Sequence, residues 1–224
     1  MKLRGEFTKL GNIKYISHLD LMRVFSRAFQ RGNIPVLYSE GFNPHPLFTL
    51  GNPLSLGVES ESEFLEIEVE DHLDPKDFKK AMNEVLPEGI RILRVYKNFN
   101  PKAIQQQITS MKYTFTWEEE GHDENGLDHF LNQDEILITR KRKKGRKKIE
   151  VEEDVKDRIF KAGLKKNGNQ VILWAILSSG ENTHLRPDHF LQGYLKSINS
   201  TIDPDMVEIK RVKNFTANGE EFHG

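Results

Sequence analysis

The stretch from Gly11 to Gly57 constrains the fold most, because it contains a short helix with clear signals at both ends. Ser17, followed three residues later by Asp20, fits the capping box, in which both side chains serve the first turn. Gly32 is typical of a helix end, where a left-handed residue is common. Between these ends, apolar residues recur at helical spacing. The pattern predicts an amphipathic helix with the core residues Leu21, Phe25, Ala28 and Phe29.

Three arginines form a second stripe on this helix. Arg23, Arg27 and Arg31 are four residues apart, and the helix has no Lys, although Lys is the commoner cation in the rest of the chain. Arginine offers planar, bidentate donors that suit carboxylates and phosphates. We expect the stripe to bind an anion, with a solvated helix face as the alternative.

His18 is the candidate catalytic residue. It falls in the first turn of the predicted helix, where the positive end of the helix favours a neutral imidazole that exchanges protons. The alternative is a histidine of the helix cap without catalytic function.

A stiff loop follows the helix. Residues 34–38 have the pattern of a short strand, and residues 39–46, SEGFNPHP, that of a turn-rich loop. Glycine widens the accessible backbone angles, and each proline restricts the residue before it. Such a loop loses little entropy on binding. We predict a ligand-binding loop facing the arginine helix, with a rigid connector as the alternative; the candidate residues are Gly41, Phe42, Asn43 and His45.

The runs KLGNIKYISHLDLMRVFSRAFQRGNIPV, YSEGFNPHP and PLSLGVESESEFLEI resemble the radical SAM-linked protein family. Its bacterial domains occur alone or as the C-terminal part of a radical S-adenosylmethionine protein. The resemblance is specific over about residues 1–70 and implies a radical SAM protein as partner rather than an activity. It also implies that S-adenosylmethionine and the iron–sulfur cluster are bound by that partner, and it assigns no functional residue.

Composition limits the chemistry of this chain. The 224 residues include no Cys, which removes disulfides, thiol catalysis and cysteine-held iron–sulfur clusters. With 30% charged residues and no apolar run near the roughly 20 residues that span a bilayer, we expect no membrane segment. Residues 1–6 lack the apolar segment of a signal peptide. The sequence predicts a cytoplasmic protein without a cofactor or metal of its own.

The order of predicted elements indicates an α+β fold with two ferredoxin-like lobes of the βαββαβ type and antiparallel sheets. We predict an N-terminal lobe over 1–98, a linker over 99–110, a C-terminal lobe over 111–213 and a frayed tail over 214–224. The predicted strands cover 2–9, 34–38, 48–56, 64–69, 90–96, 111–118, 135–140, 148–151, 171–177 and 206–212. The predicted helices cover 17–32, 74–87, 125–132 and 187–198.

A basic turn dominates the second half, with eight cations in nine residues although the whole chain carries a net charge of only −1. A cationic hairpin tip is suited to contacting phosphates without reading sequence. Protection of a sheet edge is the alternative. The predicted nucleic-acid-binding residues are Arg140, Lys141, Arg142, Lys143, Lys144, Arg146, Lys147 and Lys148.

These features favour a non-catalytic protein that binds RNA or another polyanion and presents it, as tRNA or rRNA, to a radical SAM enzyme. The sequence has no phosphate-binding glycine loop, dinucleotide fingerprint or H-E-x-x-H motif. Two alternatives remain open. One is an RNA endonuclease of the CRISPR-processing type that uses His18, and the other is a module that docks on the radical SAM enzyme through its loop.

Overall fold

The computed structural model describes residues 1–123, 125–144, 147–180 and 182–224, and the side chains of residues 141–148 lie outside the described part. The chain divides into two compact units. Unit 1 comprises Met1–Gln107 with Asn218–Gly224, and unit 2 comprises Ile108–Ala217. Both contain antiparallel strands and helices, so the predicted α+β class is confirmed.

Unit 1 is a ferredoxin-like sheet with two main helices. Its sheet has the order β4-β1-β3, and β2 also pairs with β3; each of these pairs is antiparallel. Strand β2 is short and α3 is a single turn. The elements are β1 (Lys2–Lys9), α1 (His18–Arg31), β2 (Phe48–Leu50), β3 (Glu59–Glu68), α2 (Pro75–Val85), β4 (Ile92–Tyr96) and α3 (Ile104–Gln107).

The core of unit 1 lies between the sheet and the two long helices. The rings of Phe7 on β1 and Phe25 on α1 pack edge to face, with their centroids 4.9 Å apart. The rings of Phe29 on α1 and Phe48 on β2 pack in the same way, with their centroids 5.1 Å apart. Burial of each large apolar side chain contributes roughly 1.5–3 kcal/mol. All four residues of the predicted apolar stripe are buried, which confirms that face of α1.

The ends of α1 match the sequence signals with one correction. The amide of Asp20 donates to the Ser17 hydroxyl at 3.1 Å, and that hydroxyl donates to the Asp20 carboxylate at 2.7 Å. Gly32 is the C-terminal cap, but its φ of −83° is not left-handed. The left-handed residue is Asn33, with φ 49°, because the chain reverses one residue later than predicted.

One predicted strand of unit 1 was wrong, and another was predicted to be too long. Residues 34–38 form isolated bridges, Val36 with Val69 and Tyr38 with Pro46, rather than a strand. Pro35 and Pro46 lack the N–H groups that a continuous ladder needs. The strand predicted over 48–56 ends at Leu50, three residues before another proline.

Unit 2 repeats the strand order of unit 1. Its sheet runs β10-β5-β9-β8 with antiparallel pairs, and β6 and β7 form a separate two-stranded sheet inserted between α4 and β8. The elements are β5 (Ser110–Glu118), α4 (Gly126–Leu131), β6 (Leu137–Lys144), β7 (Lys147–Asp154), β8 (Ile159–Asn167), β9 (Gln170–Ser178), α5 (Pro187–Ser197) and β10 (Glu208–Phe215).

Strand β8 was missed by the sequence analysis, which expected residues 135–140 to be a strand of the lobe itself. Those residues instead belong largely to the inserted hairpin. The β8 sequence, IFKAGLKKN, lacks strict alternation and contains Gly163. A Cβ atom at Gly163 would lie 2.7 Å from the Trp174 indole, so the glycine makes room for that ring on β9.

The C-terminal residues are not frayed, contrary to the prediction. The side chain of Phe222 is 4% exposed, and its ring lies 4.8 Å from that of Phe64 on β3. Phe222 is the one phenylalanine in the polar residues 216–224, which gives little periodicity from which to predict this packing.

Candidate functional site

The arginine stripe lies on the exposed face of α1, but two of its members have internal partners. Arg23 donates to Asp20 at 2.7 Å, and Arg31 donates to the Val85 carbonyl at the end of α2 at 2.9 Å. Arg31 therefore satisfies a carbonyl that the helix leaves open. Arg27 is exposed and forms no hydrogen bond or ion pair with any residue in the described ranges, so its guanidinium group is the one most available to a ligand.

His18 begins α1 and is partly exposed. Within the part of the chain that the structure covers, no hydrogen bond or ion pair joins it to another side chain. General acid–base catalysis needs a group within hydrogen-bond reach of the reacting atom, often oriented by a neighbour. The structure places no such orienting partner on His18.

The loop after α1 is closed by Ser39 and His45. The Ser39 amide donates to the His45 carbonyl at 2.9 Å, and the His45 amide donates to the Ser39 hydroxyl at 3.1 Å. That hydroxyl also lies 2.8 Å from Nδ1 of His45. Gly41, with φ 120°, makes the turn inside this closed loop. His45 therefore shapes the loop, while Gly41 and Asn43 lie exposed between the two closing residues.

Phe42 is the most conspicuous residue of the loop because its side chain is fully exposed, at 105% of the reference value. Tyr38, at the base of the loop, is also exposed. Leaving a whole phenyl ring in water forgoes roughly 1.5–3 kcal/mol of burial. No hydrogen bond or ion pair between described residues joins this loop to the arginine stripe, so the structure does not bring the two together.

Two grooves lie on unit 1 near the loop. One, of about 320 Å³, is lined by His45, Phe48 and Thr49 together with Lys2 and Glu66. Lys2 pairs with Glu68 at 3.2 Å. Positive charge is thus offset by carboxylates in this groove, which makes it a poor polyanion site.

The second groove, of about 620 Å³, is lined by residues 97–101 and again by Lys2 and Glu66. Arg4 lies beneath it, buried, with its guanidinium group 4.2 Å from the Phe99 ring centroid and Nε 3.0 Å from Glu66. Arg4 also donates to the Asn100 carbonyl at 3.0 Å. This cation holds the segment before α3 in place and is not available to a ligand.

The residues on either side of the basic turn lie on two strands that pair with each other. Strands β6 and β7 pair in register from Leu137 with Asp154 to Lys144 with Lys147. Residues 145 and 146, with the predicted contact Arg146, and the side chains of 141–148 lie outside the described part. The register nevertheless pairs Lys143 with Lys148 and Lys144 with Lys147. Like charges at paired positions destabilise a hairpin, so these lysines do not serve its stability.

Arg140 lies at the root of the hairpin rather than at its tip. Its guanidinium group is 3.2 Å from Glu153 on β7 and donates to the His184 carbonyl at 3.0 Å. Arg158 contacts the same carboxylate at 2.5 Å. Arg140 therefore ties the hairpin to the turn before α5.

A buried polar network in unit 2 was not predicted from the sequence. Nδ1 of His122 lies 2.6 Å from Glu119, and Nε2 lies 2.9 Å from the Tyr194 hydroxyl. Ser200 and Trp117 also donate to Glu119. The alternation of β5, with Trp117 inward, was the available signal, because it places residue 119 on the buried side.

The fold and these surfaces define an α+β protein of two ferredoxin-like units, with a basic hairpin inserted in the second. The chain belongs to the family described as "Uncharacterized protein conserved in bacteria (DUF2344)", whose model matches residues 2–187. No curated protein matches the chain. The resemblance to a conserved bacterial family is thus confirmed, while the radical SAM link is not part of that finding.

Two solved structures are similar over most of the chain. A Cbf5-Nop10-Gar1 complex chain is 9% identical, with a TM-score of 0.48 over 95% of this chain and 50% of that one. An archaeal box H/ACA sRNP Nop10-Cbf5 complex chain is 9% identical, with a TM-score of 0.46 over 94% and 48%. This chain spans about half the length of both. Because both TM-scores are below 0.5, neither likeness supports an inference about function.

Two kinds of feature are absent from the described residues. No helix in the described ranges is long and apolar enough to cross a membrane. Among the same residues, no cluster of three or more His, Asp or Glu side chains has the arrangement of a metal site.

Proposed function

We propose that this protein binds RNA, or a polyanion like it, through the β6–β7 hairpin, without reading its sequence. The observation that carries the proposal is the pairing of Lys143 with Lys148 and of Lys144 with Lys147 at the end of a hairpin that stands apart from the main sheet of unit 2. Like charges at paired positions of a hairpin are unfavourable unless an anion neutralises them. Phosphates of a nucleic acid backbone supply that neutralisation.

The alternative use of these cations, protection of a sheet edge, explains them less well. A two-stranded ribbon of eight residues per strand has edges along its whole length. The β7 half near the root carries Glu150, Glu152, Glu153 and Asp154, while the cations concentrate at the tip. Edge protection calls for charge spread along the strand, whereas a phosphate contact calls for charge at the point that reaches the ligand.

Unit 1 would supply a second, weaker contact in this proposal. Arg27 is exposed on α1 and has no partner in the described structure, so it binds a phosphate without first breaking an internal pair. Arg23 and Arg31 would have to leave Asp20 and the Val85 carbonyl.

The sequence resemblance extends the proposal to a partner. A radical SAM enzyme would carry S-adenosylmethionine and the iron–sulfur cluster, and this chain would hold the substrate, such as tRNA or rRNA. The chain then contributes binding rather than catalysis of its own.

A second candidate function rests on Phe42. A fully exposed phenyl ring on a loop closed by Ser39 and His45 is an anchor for an apolar pocket on another protein. Residues 37–47 contain no Lys or Arg, so this loop suits a protein better than a nucleic acid. In this reading the loop docks the chain on its radical SAM partner.

The experiment that tests RNA binding compares two variants that lose the same charge. One changes Lys143, Lys144, Lys147 and Lys148 to Ser. The control changes the exposed Lys76, Lys80, Lys161 and Lys165 to Ser. Fluorescence anisotropy with a labelled single-stranded RNA should show a large loss of affinity for the first variant and a small loss for the control. Equal losses of affinity in the two variants would mean that binding depends only on net charge, which would contradict the proposal.

A further inference from the structure

A small cleft lies where the hairpin root meets α5. It has a volume of about 120 Å³ and is bordered by residues 137–139 of β6 and by one face of α5. His189, Gln192 and Lys196 follow one another at three- and four-residue spacing, so they line the same side of that helix. The polar groups around the cleft are the Thr139 hydroxyl, the His189 imidazole, the Gln192 amide and the Lys196 ammonium.

Gly193 permits the close packing that forms the cleft. A Cβ atom at this position would lie 3.3 Å from Cγ2 of Ile138 on β6, so a larger residue would push the hairpin root away from α5. Ile138 is buried and Leu137 is half exposed. The cleft therefore has an apolar wall from the strand and a polar wall from the helix.

The polar groups of the cleft are not used by the fold. In the described structure, no hydrogen bond or ion pair engages the side chains of Thr139, Gln192 or Lys196. Nδ1 of His189 is buried and has no hydrogen-bond partner. A buried polar atom without a partner costs free energy, and a ligand that also reaches the exposed side chains of Thr139, Gln192 and Lys196 would supply the missing partner.

The charge of the cleft itself favours an anion, because Lys196 has no ion-pair partner among the described residues, whereas the arginines nearby are paired with carboxylates. Burial lowers the pKa of His189; Asp188 opposes this shift, while Arg186 and Arg140 lower the pKa further and Glu153 raises it slightly. Arg186 is held by Asp188 at 2.7 Å, and Arg140 by Glu153 at 3.2 Å. His189 is therefore neutral near pH 7. Lys196 adds a positive charge of its own at the cleft.

We propose that this cleft binds a single phosphate group. The Lys196 ammonium, the Thr139 hydroxyl and the Gln192 amide donate to the phosphate oxygens, and the His189 ring supplies the fourth donor. The phosphate comes either from an RNA backbone, which rests on the function proposed above, or from a small phosphate ester. If it is RNA, the cleft fixes one nucleotide at the hairpin root while the lysine tip contacts the backbone beyond it.

Inorganic phosphate is the probe for the site itself. Histidine ring signals of the full chain are followed by NMR as phosphate is added at constant ionic strength, with sodium chloride as the reference salt. We expect a saturable shift of the His189 signals and a rise of the His189 pKa, because a bound anion stabilises the imidazolium form.

The variants make the test specific. Lys196→Gln and Thr139→Val should each weaken phosphate binding, Lys196→Gln by about tenfold, as expected for one charge-assisted hydrogen bond. Lys80→Gln, an exposed lysine on a helix of unit 1, is the matched control and should leave it unchanged. The proposed site is wrong if the shift does not saturate, if chloride reproduces it, or if Lys196→Gln leaves it intact.

RNA binding separates this inference from the proposed function. If phosphate binds the cleft but RNA is not bound at low salt, the site stands and its ligand is a small phosphate ester. If RNA binds through the lysine tip but Lys196→Gln affects neither ligand, the proposed function stands and the cleft is wrong.

Discussion

Nε2 of His122 lies 2.9 Å from the hydroxyl of Tyr194, and this contact joins the turn after β5 to the middle of α5. The other ring nitrogen of His122 faces the Glu119 carboxylate at 2.6 Å. Both hydrogen bonds are made inside unit 2, where the His122 side chain is 1% exposed. The imidazole thereby contacts two side chains at once and holds the turn after β5 against α5.

Replacing His122 by Ala should destabilise the protein by about 2–4 kcal/mol, because the change removes the hydrogen bonds to Glu119 and to the buried Tyr194 hydroxyl and opens a cavity. Urea unfolding followed by circular dichroism measures this loss. His129→Ala, at an exposed position on α4, is the control and should cost less than about 0.5 kcal/mol. Comparable effects for the two variants would mean that the network does not stabilise unit 2.

The same network should make stability depend on acid pH. Burial raises the pKa of the Glu119 carboxyl group, but hydrogen bonds from Trp117, His122 and Ser200 outweigh burial and hold the pKa below its ordinary value of 4.5. A carboxylate whose pKa is lowered by folding contributes stability above pH 4.5 and loses it as the pH falls through the folded pKa. Unfolding free energies of Glu119→Gln and wild type should therefore converge as the pH falls below about 4. A constant difference would contradict this assignment.

Tyr194 should add a dependence at the alkaline end. Burial raises the pKa of its phenol, and the nearby carboxylates of Glu119 and Asp123 raise it further. A raised pKa contributes stability that is present below the ordinary value of 10 and is lost as the pH rises beyond it. Wild type should lose stability above pH 10 more steeply than Tyr194→Phe in thermal unfolding.

Arg27 and Arg31 should behave differently although they are one turn apart. Arg31→Ala removes the hydrogen bond to the Val85 carbonyl and should cost up to about 1 kcal/mol in urea unfolding. Arg27→Ala should leave stability unchanged, because no described residue pairs with it, and should lower RNA affinity if α1 is the second contact. Unaltered RNA binding by Arg27→Ala would restrict the interface to the hairpin.

Phe42→Ala should not reduce stability, since its ring is fully exposed and makes no packing contribution to lose. Ser39→Ala should instead loosen the loop, because it removes the hydroxyl that contacts Nδ1 of His45 and accepts from the His45 backbone amide. If the loop docks on the proposed radical SAM partner, both variants should weaken binding to that protein, and hydrogen exchange of residues 40–45 should rise only in Ser39→Ala. If Phe42→Ala left partner binding unchanged, this loop would be excluded as the docking site.

Much of the fold could be predicted because local signals agreed with the final structure. The cap at Ser17, the proline at the start of α2, the alternation of β5 and the continuous apolar run of β9 each indicated an element. Strand β8 could not be predicted in this way, because its pairing with β9 depends on Gly163 accommodating Trp174, a contact between residues eleven positions apart. Pro35 and Pro46 were the sequence signal against a regular strand after α1.

The candidate site was harder to predict than the fold. Charge density at residues 140–148 is visible in sequence, but the engagement of Arg140 by Glu153 and the His184 carbonyl requires the paired hairpin. The cleft residues Thr139 and His189 are fifty positions apart and come together only through the packing of β6 on α5. In the sequence, Arg31 and Arg27 are equivalent members of the stripe. The structure distinguishes them because the Val85 carbonyl at the end of α2 accepts a hydrogen bond from Arg31.

The most direct test of the central claim is the salt dependence of RNA binding. Affinity for single-stranded RNA is measured between about 50 and 200 mM salt for wild type, the four-lysine hairpin variant and the matched control with four other lysines removed. Each phosphate contact contributes about 0.7 to the slope of log affinity against log salt, so the hairpin variant should lose up to about 3 from its slope while the control retains it. Equal slopes for all three proteins, or no RNA binding even at the lowest salt, would contradict RNA binding through the hairpin.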